Sequence, residues 1–455
     1  MPNTRPSPVL TALLGLIILA GAGCVRYWYL TTWSDVAKGA ANWQVQGAER
    51  GPAAGGKSDL DALVENLKAR GLVNGYRSAA PFQSQEEETA HIAPGYPVFR
   101  ALIEEYCAGA VGFKENPTQF TRWVQAGLGS LTALLIFLTA TRAFSSLFVG
   151  LIAGLAAIGH PYWIINAAEM QDGALATFLV SFALYLAVRA GQQGGAVTAL
   201  LLGLVLALTA LTRAALLPFA VAILLWYLWR SRTQLGGWLF ALVAFLGFTC
   251  ALASWTVRCY QQLGEPVPVV STAWWHLYVG NNPAATGGPY TPEMALSTER
   301  QEALGKEPQG RRYALLAGNV RQVVQDHPGA TVSRRAKALL FFFFGTADPK
   351  RGNLLAVGEG GKPDEWIYNS MAGMLLALFG LAALGWRWSF GWKSSSAPLA
   401  IAVIWIPLPY ILSHAEALHG PRLPLDAALI CLAAMALACF VPGVGNRLLK
   451  GENAA

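Results

Sequence analysis

The sequence predicts an all-α polytopic membrane protein, a transmembrane helix bundle with two large outward-facing loops, and three observations carry that prediction. Of 455 residues, 54% are apolar and 13% charged, against roughly 45–50% and about 25% in an average soluble domain. Runs of Leu, Ala, Val and Phe are long enough to cross a hydrocarbon core. The charges are also segregated. Between Trp123 and Val257 stand only Arg142, Glu169, Asp172, Arg189, Arg213, Arg230 and Arg232, whereas the stretches 35–122 and 258–337 are densely charged and must face water. Such a composition excludes a disordered, collagen-like or disulfide-stapled chain.

Apolar windows place ten crossings, with an eleventh conceivable, at about 9–29, 123–141, 143–160, 173–188, 195–211, 214–229, 238–257, 369–386, 397–412 and 424–441. The first is read as a span and not a cleaved leader, because the apolar stretch continues through aromatics and no small-residue cleavage site follows Val25. Lys and Arg are retained on the cytoplasmic side. Arg142, Arg189, Arg230 with Arg232, Arg387 with Lys393, and Arg447 with Lys450 alternate accordingly and put both termini in the cytoplasm. The segments 30–122, 161–172, 212–213, 258–368 and 413–423 then face outward. The organisation reads as a first transmembrane helix (1–29), a first outer loop (30–122), a transmembrane core (123–257), a second outer loop (258–368), C-terminal transmembrane helices (369–441) and a cytoplasmic tail (442–455).

Within the first loop, Gly51–Lys57 is a flexible linker, Leu60–Arg70 has a helical apolar pattern, and Glu86-Glu87-Glu88 reads as a solvated charge run. In the second, Glu299–Gln325 reads as one or two amphipathic helices that end at His327-Pro328-Gly329. The run Leu339–Phe344 is too short to span and, beside Arg334, Arg335 and Lys337, is expected as an interfacial helix near 336–347. No repeat of solenoid length occurs, and the halves do not mirror one another as in many inverted-repeat transporters.

The net charge of +7 is not accompanied by a basic run with interleaved aromatics, so the positive balance reflects membrane orientation and excludes a nucleic-acid partner. The six cysteines show no CxxC spacing; only Cys107 and Cys259 lie in or beside the loops, which leaves room for one bridge.

Ionisable groups at the lip of a span are expensive, on the order of 2.5–3.5 kcal/mol on insertion scales, and are therefore functional candidates. Asp172 opens the fourth span with Glu169 three residues earlier, a spacing that puts both on one face if the helix begins there; a plain helix N-terminal acid is the structural alternative. Asp35 follows the first span, and Asp59 and Asp61 follow the linker; each could equally be an idle loop carboxylate. In Thr89–Pro97, two prolines, a glycine and Tyr96 fix a rigid turn beside His91, a candidate for metal binding or proton transfer against an ordinary structural histidine. Arg213 and Arg258 stand at the ends of spans, as phosphate-binding forks or as snorkelling anchors.

The ordered segments TAHIAPGYP (89–97), EMQDGALATFL (169–179), LTALTRAALLP (208–218), WTVRCYQQLGEPVPVVSTAWWHLYVGNNPAATG (255–287) and HGPRLPLDAALICLAA (419–434) resemble the bacterial GT-C glycosyltransferases of family 39, which include aminoarabinose transferases and are related to protein O-mannosyltransferases. The resemblance implies a GT-C-like bundle in the bacterial inner membrane with its active site on the outer face. It also implies transfer of a hexosyl or pentosyl group, with inversion, from a polyprenyl-phosphate donor to a lipid, glycan or protein acceptor. By the same resemblance the catalytic carboxylates fall on Asp172 and on Asp35, which is favoured over Asp59, and a divalent ion would be held at His91. The donor phosphate is assigned to Arg258, Arg213 and Arg422, and substrate contacts to Tyr96, Glu169, Asn281 and Asn282. The sequence departs from the pattern where a Gly/Ala-rich insertion separates Asp35 from Asp59, and where no tyrosine precedes Arg422. The rival readings are a secondary transporter using Asp172 and Arg213, an O-antigen ligase or polymerase of the GT-C type, and a noncatalytic scaffold.

Overall fold

The computed structural model describes residues 7–32, 59–79, 86–232, 235–288, 294, 296–308, 311–344, 378–379, 381–387, 391, 394–413, 421–442, 444–445 and 448. α1 (Pro8–Thr32) is followed by an outer segment of α2 (Asp59–Asn74), the strands β1 (Arg77–Ala79) and β2 (Glu86–Glu88), and α3 (Gly95–Leu102), which runs into a π-turn at Ile103–Cys107. The bundle continues with α4 (Pro117–Ala143), α5 (Leu147–Ile158), α6 (Pro161–Asn166), α7 (Gly173–Gln192), α8 (Ala196–Thr212), α9 (Leu217–Ser231) entered through a 3-10 turn at Ala214–Leu216, and α10 (Leu235–Leu263). A second outer segment holds α11 (Ala273–Asn281), α12 (Thr298–Gly305), α13 (Leu316–Asp326) and α14 (Pro328–Phe344). α15 (Ala397–Trp405), α16 (Leu408–Leu412) and α17 (Leu423–Cys439) follow.

Among the described residues, five helices are long and apolar enough to cross a bilayer: Pro8–Thr32, Pro117–Ala143, Gly173–Gln192, Ala214–Ser231 and Gly236–Leu263. Four further apolar helices are shorter, at Leu147–Ile158, Ala196–Thr212, Ala397–Leu412 and Leu423–Cys439. The chain is thus compatible with an all-α membrane protein. Helix ends fall where the sequence supplies caps: Asn116 accepts from the Gln119 amide with Pro117 at the first position, Ser146 caps α5, and His160 followed by Pro161 caps α6. Apart from Asp426, α17 is apolar on every face and buried along almost its whole length, so it is the core helix around which α4, α5, α7 and α15 pack. α1 is the opposite case, exposing Val9, Leu10, Leu13, Leu16 and Ile17 on an outer, lipid-ready face. α8 and α10 approach so closely at Gly203 that a side chain there would run into the Ala244 carbonyl.

Several details depart from the sequence reading. The expected crossing at 143–160 forms a helix of 12 residues, about 18 Å at 1.5 Å per residue, short of a ~30 Å hydrocarbon core. The crossing at 397–412 is broken between α15 and α16 at Pro407, which cannot donate to the helix ladder. Most of the crossing at 369–386 lies outside the described residues. The triple glutamate is a strand and not a free charge run: it pairs antiparallel with β1, Arg77 opposite Glu88 and Ala79 opposite Glu86. α14 begins at Pro328, earlier than expected, and its phenylalanine run is two-sided: Phe342 is buried against Tyr410 and Phe343 meets Phe379, while Leu339, Leu340 and Phe341 are exposed. Cys107 and Cys259 are both free thiols.

Candidate functional site

Asp172 and Arg213 meet at one end of the bundle. α7 begins only at Gly173, so Asp172 sits at its N-cap and Glu169 in the irregular turn before it; the two carboxylates do not share a helical face, contrary to the spacing argument. Arg213 closes α8 in extended backbone, which swings its guanidinium across to Asp172. The fork is bidentate: Nε donates to Oδ2 at 2.7 Å and Nη2 to Oδ1 at 2.5 Å. The Tyr410 hydroxyl of α16 also reaches this guanidinium. The pair is partly exposed, with side-chain exposures of 14% for Arg213 and 27% for Asp172.

The Pro94–Tyr96 turn packs onto this corner. A Cβ on Gly95 would stand 2.5 Å from Thr212 Oγ1 and 2.7 Å from its Cα, so glycine alone permits the contact. Tyr96 is buried, and its hydroxyl donates to Gln125 Oε1 at 3.0 Å. Gln125 Nε2 in turn donates to the carbonyls of Ala167 at 3.1 Å and Glu169 at 2.8 Å, so one side-chain strut fixes both the turn and the acidic loop. Arg122 Nε braces the same loop through the Ala168 carbonyl at 3.0 Å. Glu169 is buried; its Oε2 accepts from Asn166 Nδ2 at 2.7 Å. Burial pushes its carboxyl up to about 7.

Carboxylates of the first loop gather on the other side of Tyr96, whose phenol feels Arg100, Asp172, Glu104 and Asp61. Asp61 pairs with Arg100 Nη1 at 2.5 Å, Arg100 Nε with Glu104 at 2.7 Å, and Lys68 with Glu104 at 3.5 Å, which locks α2 onto α3. Asp59 is the first residue of α2. Asp35 lies outside the described residues.

The remaining candidates hold loops in place. Arg258 donates to the carbonyls of Thr89 at 3.1 Å, Tyr76 at 3.2 Å and Val73 at 3.4 Å, and its guanidinium lies 5.3 Å from the rings of both Tyr76 and Trp255. It staples the first loop to the end of α10. Asn281 bridges the carbonyls of Leu277 at 2.6 Å and Leu412 at 3.2 Å and is met by Arg335, while Asn282 donates to the Met294 carbonyl at 3.0 Å. His91 is buried, its ring 3.4 Å from Ser271 Oγ and its carbonyl accepting from Thr272 Oγ1 at 3.1 Å. Burial, reinforced by the nearby Arg312 guanidinium, pushes its imidazole down to about 3. That cation, held by Glu87 at 2.5 Å, makes the surroundings a poor fit for a divalent ion. Among the described residues no group of three His, Cys, Asp or Glu could hold a metal.

Arg422 belongs to a second, fully buried cluster. Its Nε donates to Asp426 Oδ1 at 3.1 Å, its Nη1 to the Phe343 carbonyl at 2.8 Å, and Asp426 Oδ2 lies 3.2 Å from His160 Nε2. The His160 ring stacks on Trp163 at 4.3 Å, and Trp163 Nε1 donates to the Leu423 carbonyl at 3.2 Å. Sequence reasoning missed Asp426 and His160. A carboxylate inside an apolar span, four residues after an arginine, was the signal that could have found the first. It also missed Arg26, buried in α1, whose Nη1 donates to its own helix at Ala22 while Nε and Nη2 meet no acceptor among the described residues. No protein-family model matches this chain, and no curated protein matches its sequence.

Proposed function

We propose that this chain is a membrane-embedded glycosyltransferase that moves a sugar from a polyprenyl-phosphate donor to an acceptor at the outer face of a bacterial plasma membrane. The observation that carries the reading is the Asp172–Arg213 fork, a partly exposed charge pair at the end of an apolar bundle, seated against the rigid Pro94–Tyr96 turn. Glycosyl transfer needs a carboxylate to take the acceptor proton and a cation to hold the departing phosphate as an oxocarbenium-like centre develops. Carboxylates and a guanidinium within one corner supply both. Arg213 has the planar fork that matches two phosphate oxygens, and its place at the end of α8 suits a headgroup at the bilayer surface.

The test is reconstitution in vesicles with a radiolabelled polyprenyl-phosphate sugar, with mass spectrometry of lipid that co-purifies. Label passing to an acceptor in the parent and not in Asp172→Asn supports the proposal. Solute uptake driven by an ion gradient, with no lipid product, identifies a transporter and overturns it.

A further inference from the structure

We infer that Glu169, and not Asp172, is the carboxylate that binds and releases a proton at this site; in the transfer proposed above, on which this second part rests, it receives the proton of the acceptor hydroxyl. Both Asp172 oxygens accept from the Arg213 guanidinium, so a proton there would break the fork. Glu169 is placed in the opposite way. Its Oε2 accepts from the neutral amide of Asn166, and its Oε1 is buried with no donor among the described residues. The Asn166 Oδ1 atom is a second buried acceptor in the same condition. An ionised carboxylate facing an amide therefore leaves two acceptors unmatched. One proton on Oε1 supplies the missing donor and lets acid and amide pair through both of their edges.

The surroundings favour that proton without replacing it. Tyr29 of α1 feels the Glu169 carboxyl; Gln125 of α4 bonds the Glu169 backbone carbonyl and receives the Tyr96 hydroxyl, Arg122 of α4 bonds the Ala168 carbonyl, and Asp172 stands three residues ahead, paired with Arg213. Arg122 is turned to the Ala168 carbonyl and Gln119, and Arg213 to Asp172, so neither cation is bonded to Glu169. The carboxyl stays near 7 through burial. Asn166 lines a small cleft with Gly129, Thr132, Trp163, Gly173, Ala174 and Thr177, at the foot of the irregular segment that carries Glu169. In the transfer step the acceptor O–H gives its proton to Glu169, the freed oxygen electron pair forms the bond to the anomeric carbon, and the sugar–phosphate C–O bond breaks with its electron pair leaving on the phosphate.

Infrared difference spectroscopy of the full chain in vesicles, between pH 5 and pH 9, tests the assignment without reference to turnover. A carbonyl band of a protonated carboxyl that titrates near neutrality should be lost in Glu169→Gln and persist in Asp172→Asn. Asn166→Ala should shift its midpoint, which keeps the assignment testable if the glutamine variant folds poorly. Loss of the band in Asp172→Asn, with its survival in Glu169→Gln, overturns the inference. In transfer assays the parent rate should rise through the same midpoint, and Glu169→Gln should be at least tenfold slower above it, with a flat profile; an unchanged profile overturns the catalytic half. Absence of any transfer by the parent sinks the transferase reading, while the infrared band still decides the proton site.

Discussion

Among the described residues two arginine–aspartate pairs lie in the helix bundle, and their differences separate chemistry from architecture. Arg213 and Asp172 come from different elements, form a tight fork, and keep 14% and 27% side-chain exposure. Arg422 and Asp426 are neighbours on one helix, four residues apart and 2% and 0% exposed, and they are completed by His160 and the Phe343 carbonyl. The first pair keeps an exposed edge at the end of the bundle. The second already has its partners inside the protein and joins α6, α14 and α17. A charged group in an apolar bundle is therefore a candidate site only where an edge of it stays open.

The largest expected effect follows from the buried pair. Asp426→Ala would leave Arg422 desolvated and uncompensated, and breaking such a pair costs roughly 3–5 kcal/mol. Thermal unfolding in detergent should shift far down and the yield of monodisperse protein should collapse, whereas Arg422→Leu with Asp426→Leu should recover much of the loss. An Asp426→Ala protein as stable as the parent would remove the architectural reading. Asp172→Asn is the contrasting case. The pair is partly exposed, so stability should fall by about 1 kcal/mol or less, while transfer in vesicles should drop at least hundredfold. A variant that lost folding and activity together would make the two pairs equivalent and dissolve the comparison.

The sequence made most of this frame legible because it is written in hydropathy. The spans at 9–29, 123–141 and 238–257 coincide with α1, α4 and α10, and the apolar pattern at 60–70 falls inside α2. What it concealed depends on contacts across long separations. Nothing local tells that Glu87 meets Arg312, or that Arg258 reaches three carbonyls of a loop more than 160 residues earlier. Asp172 and Arg213 were legible as lip residues, but their bond was not, since it requires α7 and α8 to be antiparallel neighbours in register. His160 was hidden in a helix start, where it reads as a cap.

Glu169 gives a middle-sized effect whose sign can be worked out. Its carboxyl is raised from an ordinary 4.5 to about 7 in the folded chain. The folded protein therefore holds a proton that the unfolded chain has already released between those values, and stability falls as pH rises through that window. Glu169→Gln carries no such dependence. Unfolding measured at pH 5 and pH 8 should show the variant gaining on the parent by on the order of 2–3 kcal/mol. A gap that stays constant with pH would place the Glu169 carboxyl in its ordinary range.

The smallest effect is expected at Arg258, where two roles make opposite forecasts. As a donor-phosphate ligand, Arg258→Lys would weaken use of the lipid donor and leave the first loop alone. The structure gives its guanidinium three carbonyl acceptors and two aromatic faces, an arrangement that a single ammonium cannot reproduce. Losing one or two charge-assisted bonds while keeping the charge should cost about 1–2 kcal/mol. Most of that loss is local, because the bonds join α10 to residues 73–89 and not to the bundle core. Hydrogen exchange should accordingly quicken in the Asp59–Asn74 helix and the β1–β2 ribbon, with α4 and α17 unchanged, and the donor concentration for half-maximal transfer should move less than twofold. A tenfold rise in that concentration with unaltered exchange would return Arg258 to the phosphate and leave Arg213 paired to Asp172 throughout the reaction.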